Sequence, residues 1–319
     1  MADNSKLDYT PSDTLIDKLT PYVFSKRITQ YHCTECGSQM LARIVESGDS
    51  ANSTVHWDVA CGTLEQGEGI YEVQGHEHIA DTLDGGFSDF LPVINDKAVE
   101  RWPHHFREEE QLPLYWQSEE RSQSSPSSSD RLRGHCHCGG VEFWIARPSE
   151  RSKFATGAWP DLLIPHYLDQ LRPEGEAWWL QDDGKKFLAG CCACNSCRLA
   201  FGMEWIQWAF VPTVDISLDR EGKVPFSRNF GTLRHHQSSD EATRHFCGVC
   251  GASIFWDGDR RPNLIDVAVG LLTAPEGARA ESWLEWRTHR LSFREDAVDR
   301  IKSLTLGVED GLKMFGQRH

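Results

Sequence analysis

The chain has 319 residues, of which 39% are hydrophobic and 12 are tryptophan. That is ample apolar material for true cores and excludes a wholly disordered polypeptide, while the length favours two domains over one. Acidic residues outnumber basic ones 48 to 33, a formal charge of −15, so phosphate backbones are repelled and no nucleic acid is expected as a partner. No apolar run approaches the ~18 residues of a membrane span, so no membrane partner is expected either. The first thirty residues lack the apolar stretch of a secretory signal, which points to the reducing cytoplasm. There the eleven cysteines bind metal more readily than they pair.

Taken in chain order, residues 1–116 read as an incomplete half-module. Its marker is Cys33-Thr-Glu-Cys36-Gly37, followed by Asp58-Val-Ala-Cys-Gly-Thr-Leu-Glu-Gln-Gly-Glu-Gly69. The same order recurs near the C-terminus as Cys247-Gly-Val-Cys250-Gly251 and then Asp266-Val-Ala-Val-Gly-Leu-Leu-Thr-Ala-Pro-Glu-Gly277, with seven of twelve positions identical in the second segment. This is the pattern of a partial tandem repeat whose first copy lacks a front half. Cys33 and Cys36 would need further ligands to hold a metal, with His32, His76, His78 or a second chain as sources. Cys61 sits where the other copy has Val269 and reads as core. His104-His105 and His235-His236 are given no role. A half-module with a spare sheet edge is a natural dimer surface, which leaves a homodimer open beside a monomer.

Residues 117–133 are serine-rich and read as a linker. The C-terminal part, 134–319, has short β-rich runs at Val141–Ile145, Trp205–Val211 and Ile254–Trp256, so the fold class is mainly β. Ser292–Leu312 carries Phe293, Ala297, Val298, Ile301, Leu304 and Leu306 at the spacing of one amphipathic C-terminal helix.

Three cysteine clusters lie in this part. Cys136 and Cys138, read as i and i+2 of an extended segment, face one side. Cys247 and Cys250 form a knuckle whose tight turn Gly251 permits. Together they supply four thiolates, the complement of a closed structural zinc site. The middle cluster, Cys192, Cys194 and Cys197, offers only three, which leaves a tetrahedral metal one open position for water or a substrate thiol. Cys191, adjacent to Cys192, points to the opposite face and reads as core. No general base stands out: Glu204 lies seven residues after Cys197 and His166 sits in the stretch between Cys138 and Cys192, yet neither has a motif behind it.

The order Gly134–Gly139, Cys192–Cys197, Phe246–Gly251, with Arg244 before the knuckle and Val269-Gly270-Leu271 after it, resembles the glutathione-dependent formaldehyde-activating enzyme family, which includes centromere protein V. The resemblance covers roughly 134–275. It implies a zinc-stabilised β-tent of antiparallel sheets and two Zn2+ per chain. One would be structural, at Cys136, Cys138, Cys247 and Cys250. The other would be catalytic, at Cys192, Cys194 and Cys197, and would hold the thiol of glutathione while it adds to formaldehyde, a carbon–sulfur lyase reaction in reverse. The partners so implied are a small-molecule thiol and an aldehyde. The chain departs from the simplest pattern in an insert at about 149–187 with Trp159, His166, Tyr167, Trp178 and Trp179. Two readings of it stand side by side, a lid that selects a bulkier substrate and aromatic packing on the sheet. A non-catalytic zinc-binding interaction scaffold is the alternative to the enzyme.

Overall fold

The computed structural model describes residues 9–46, 54–65, 67–123, 131–171 and 176–318. The architecture is mainly β and antiparallel, with few helices. Near the N-terminus, strands Leu19–Val23, Ile28–Cys33, Gln39–Val45 and Val55–Val59 form a four-stranded meander in chain order. The C-terminal part is built on an eight-stranded sheet. Its order is Leu180–Gln181, Lys186–Cys192, Ile206–Pro212, Leu264–Ala268, Ser253–Gly258, Ala242–Cys247 and Leu233–Ser239, with Leu284–Trp286 parallel to Lys186–Cys192. A three-stranded sheet, Ile216–Ser217, Glu142–Ala146 and Arg131–His135, covers it. Val211, Phe255, Ile265 and Val267 of the large sheet meet Phe143 and Ile145 of the small one in a buried core, with Phe143 and Phe255 ring centroids 5.0 Å apart. These side chains alternate along their strands, which is why short β-branched and aromatic runs settle here as sheet.

The two knuckle regions fold alike. In each, a strand pairs with the knuckle strand, the chain reverses through Cys-x-x-Cys-Gly, two more strands follow, and a three-residue 3-10 turn ends the run. The backbone irregularity falls between Tyr31 and His32 in one and between His245 and Phe246 in the other, at equivalent positions. Leu41 opposes Val59 as Phe255 opposes Val267. Gly37 and Gly251 both take positive φ, +75° and +72°. A side chain on Gly37 would strike the Phe246 ring, and one on Gly251 would strike His32, the residue equivalent to Phe246.

The single C-terminal helix expected over Ser292–Leu312 is corrected to two, Arg294–Val298 and Lys302–Gly316. Ile301 breaks them with an extended backbone (φ −146°, ψ 81°), and Arg300 beside it donates to the Ala193 carbonyl at 2.9 Å. Tertiary bonding thus overrides a helical pattern that is continuous in sequence. The second helix buries Leu304, Val308, Leu312 and Phe315 against Phe90, Leu91 and Val99 of the N-terminal part. Leu306, expected on the apolar stripe, is exposed. Within 117–133, Glu119–Gln123 is helical and Arg131 opens a strand, while 124–130 lies outside the described residues. No helix among the described residues is long and apolar enough to cross a membrane.

Candidate metal centres

Cys136 and Cys138 do not lie in an extended segment. Their strand ends at His135, and a tight turn closed by Gly139 N–H to the Cys136 carbonyl (3.0 Å) brings the two sulfurs together. Gly139 supplies the positive φ of +72° that the turn needs. Cys136 Sγ and Cys138 Sγ are 3.5 Å apart, and Cys138 Sγ is 3.5 Å from Cys247 Sγ. The Sγ atoms of Cys136, Cys138, Cys247 and Cys250 all lie within 4.8 Å of one another. A tetrahedral ion with metal–sulfur bonds of about 2.3 Å needs edges of about 3.8 Å, so four sulfurs at these separations fit one. Backbone N–H groups of Val141 (3.3 Å), Gly140 (3.4 Å) and Val249 (3.4 Å), with the Thr232 hydroxyl at 3.0 Å from Cys247, point at the sulfurs as they would at thiolates. The four cysteines join the turn after one strand of the small sheet to the knuckle of the large sheet.

The middle cluster is assembled where a strand ends and a helix begins. Cys192 closes the strand Lys186–Cys192, Cys194 caps the helix Asn195–Phe201, and Cys197 sits in its first turn. Cys194 Sγ accepts the Cys197 N–H at 3.3 Å. The three sulfurs lie within 4.8 Å of one another, with no fourth Cys, His, Asp or Glu atom in the group among the described residues. Cys191 faces away, into the cluster of Leu304 and Leu312, while Cys192 belongs to the main core. Cys197 receives Arg244 Nη2 at 3.3 Å and Trp208 Nε1 at 3.5 Å. Hydrogen bonds from Cys192 and Cys194, helped by the Arg244 guanidinium, pull the Cys197 thiol well below the usual range. Its neighbour Cys194 is lowered by its bond with Cys192 but raised more by its bond with Cys197 together with burial, and ends at about 12. Arg244 also donates to Ser196 Oγ at 2.9 Å, so it braces both the sulfur and the helix that carries it.

The cluster opens into a cavity of about 600 Å³. Its walls include Trp159, His166, Trp208, Phe210, Arg244 and Trp256. The insert therefore does two things: Trp159 and His166 line the cavity, while Trp178 and Trp179 are buried with Phe210 and Leu264 in a satellite core. Asp266, deep in the wall, is bonded to Arg261 at 2.8 Å, and burial raises its carboxyl to about 6. Sequence reasoning missed Arg261 and Asp161 altogether. Asp266 carried one signal, its place in the segment whose sequence resembles 58–69, and that signal speaks of structure only.

The other sequence candidates lie elsewhere. Glu204 is buried beside Arg300 (3.7 Å), outside the cavity's lining. Cys33 and Cys36 fall in no group of three ligand atoms among the described residues; Cys36 Sγ lies 3.2 Å from Ser38 Oγ. His32 is buried against the second knuckle. His76 is spent on the Leu91 carbonyl at 2.9 Å, and Cys61 is exposed rather than core. His104, given no role from sequence, forms a surface trio with His78 and Asp81.

A mainly antiparallel β chain with a four-sulfur and a three-sulfur centre defines a class: a protein equipped to hold metal at clustered thiolates. Within it, residues 180–287 match the family model for glutathione-dependent formaldehyde-activating enzyme, about a third of the chain. The match contains the three-sulfur cluster and the second knuckle, and it begins after Cys136, Cys138 and the cavity-lining part of the insert. No curated protein matches the chain.

Proposed function

We propose that the protein is a zinc-dependent enzyme that forms, and in reverse cleaves, the carbon–sulfur bond between glutathione and an aldehyde. The observation that carries this reading is a cluster of three cysteine sulfurs, with no fourth protein ligand in the group among the described residues, opening into a cavity large enough for a peptide-sized thiol. The matched family adds glutathione and formaldehyde as reference substrates. Zinc bound by Cys192, Cys194 and Cys197 would supply an open coordination position and acidify a thiol that occupies it. The chain's own residues supply the rest. Arg244 and Trp208 fix Cys197, and the aromatic walls exclude water from the addition. In that addition the C–S bond forms, the carbonyl π bond breaks, and the thiol proton ends on oxygen. A second zinc at Cys136, Cys138, Cys247 and Cys250 is assigned to holding the sheets together. A zinc-binding scaffold without catalysis would want a closed middle site, and Cys191, the thiol adjacent to Cys192 in sequence, faces another core.

We also propose that residues 19–63 are a shortened copy of 233–271. The reading is supported by equivalent strands, an equivalent backbone irregularity, and knuckle glycines that each pack on the other copy's ring.

Metal analysis of the full chain, followed by assay of free thiol and carbonyl loss with glutathione and a panel of aldehydes, tests the function. About two zinc ions per chain and thiol-dependent aldehyde consumption are expected. Retention of both ions with no consumption of any aldehyde would favour the scaffold.

A further inference from the structure

We infer that His166, held by Asp161, is the group that takes the proton from a thiol entering the cavity and returns it to the adduct's oxygen; this rests on the thiol–aldehyde reading above. His166 lies in the insert, outside the segment matched by the family model, so nothing in that match assigns it.

Asp161 has no exposed side-chain surface, and its two oxygens are fully used. Oδ1 accepts the Phe293 N–H, Arg290 Nη2 at 2.9 Å and Ser292 Oγ at 3.3 Å. Oδ2 accepts the His166 backbone N–H at 2.8 Å and faces His166 Nδ1 at 3.2 Å. A carboxylate so surrounded stays ionised, and its hydrogen bond to Nδ1 selects the tautomer with the proton there, leaving Nε2 as acceptor. The ring is stacked on Phe293, centroids 5.3 Å apart and 24° between planes, and about half of the His166 side chain is exposed. Orientation is thus fixed on one side of the imidazole and access is kept on the other.

The dyad is wired to the sulfur cluster through backbone. Ser292, whose hydroxyl holds Asp161, forms a parallel bridge with Cys192; its N–H donates to the Cys191 carbonyl, and its own carbonyl accepts from Ala193, each at 2.9 Å. The segment that positions the base is therefore bonded to the strand end that positions the first thiolate. Two of the acids that line the cavity are committed: Asp161 to its donors, and Asp266 to Arg261. The charged groups around His166 are Asp161 directly behind it and Arg290 and Glu295 beyond that. Asp296 of the following helix and Arg260 and Arg261 line the same cavity.

The step balances without any further reagent. The S–H bond breaks and its proton passes to Nε2, leaving the electron pair on sulfur. Sulfur bonds to the carbonyl carbon, the π pair moves to oxygen, and oxygen takes the proton back from Nε2. Nothing is oxidised or reduced.

The test compares the full chain with His166→Gln and, as a second variant, His166→Ala. Calorimetry of glutathione binding at pH 7 in two buffers of different ionisation heat counts protons released, a readout independent of turnover. The wild type should release close to none and each variant about one per glutathione. Metal content and melting temperature should be unchanged, while turnover falls by about 10²–10⁴-fold. Turnover within about threefold of wild type, or equal proton release, overturns the assignment. A metal-loaded wild type that neither binds glutathione nor consumes aldehyde overturns the thiol reading itself, and this inference with it. Loss of glutathione binding in Cys194→Ala alone, with His166→Gln still binding, supports both.

Discussion

Burial raises the Asp215 carboxyl to about 6, because Ser152 and the charges of Arg151 and Arg131 only partly offset the loss of water. An acid whose folded pKa lies above its unfolded value of about 3.9 holds its proton more tightly when folded. Stability therefore falls as pH rises from about 4 through 6 and stays at the lower level above that window. Asp215→Asn mimics the protonated form, so it should be more stable than wild type by about 1–3 kcal/mol at pH 8 and near parity at pH 4. Melting curves across this range check it, and a gap that does not change with pH refutes it. The cysteines separate along the same residue scale. Cys250→Ser or Cys136→Ser removes a ligand that ties two sheets together, and should cost several kcal/mol and prevent the C-terminal part from folding. Cys194→Ala should keep the fold, lose about one metal per chain and lose activity. Equal melting of Cys194→Ala and Cys250→Ser would make the middle cluster structural. The seven clustered cysteines were legible in the sequence because knuckle and turn spacings are local. Asp161, Arg290 and Ser292 were not, since 131 residues separate Asp161 from Ser292 and only the folded sheet brings them within hydrogen-bond reach.

At the scale of elements, the two knuckles set up a symmetric test. Gly37 and Gly251 share a positive φ, and a Cβ on either would lie 2.4 Å from the Cγ of the ring facing it. Those rings belong to Phe246 and His32, which occupy equivalent positions. Substitution by alanine at either glycine should therefore cost a similar amount, about 1–3 kcal/mol, from backbone strain plus displacement of a buried ring. Chemical denaturation of both variants checks the equality; a large cost at one site with none at the other would argue against equivalent packing. The short strands were readable from β-branched and aromatic runs, and the knuckles from Cys-x-x-Cys-Gly. The C-terminal helix was misread as continuous because periodicity cannot see Arg300 reaching the Ala193 carbonyl and stopping the helix at Ile301. The insert was half legible: its tryptophans promised burial, which Trp178 and Trp179 deliver, while nothing local distinguished Trp159 as a cavity wall.

For the whole molecule, the decisive contact is a buried charge network joining the two sides of the serine-rich segment. Arg279 is 2% exposed, and its guanidinium meets Asp89 at 2.9 Å, the Gly86 carbonyl at 2.8 Å and Glu281 at 3.1 Å. Its backbone N–H donates to Asp84 at 2.8 Å, and both aspartates are completely buried. Arg101 shares Asp89 from the other side at 2.8 Å. Beside this network, Phe90 and Leu91 pack with Val308, Leu312 and Phe315 of the last helix, so one apolar cluster draws on both ends of the chain. Removing the cation strands buried carboxylates, which costs far more than the net worth of the pair, so Arg279→Met should destabilise by about 3–5 kcal/mol. Because the cluster and the network are common to both sides, that loss should lower a single calorimetric transition. Two resolved transitions in the wild type would show that the N-terminal part melts on its own, and a near-neutral Arg279→Met would show that the network carries no stability. A single transition shifted down by about 4–8 °C, with calorimetric and van't Hoff enthalpies equal, is the outcome that a shared core requires.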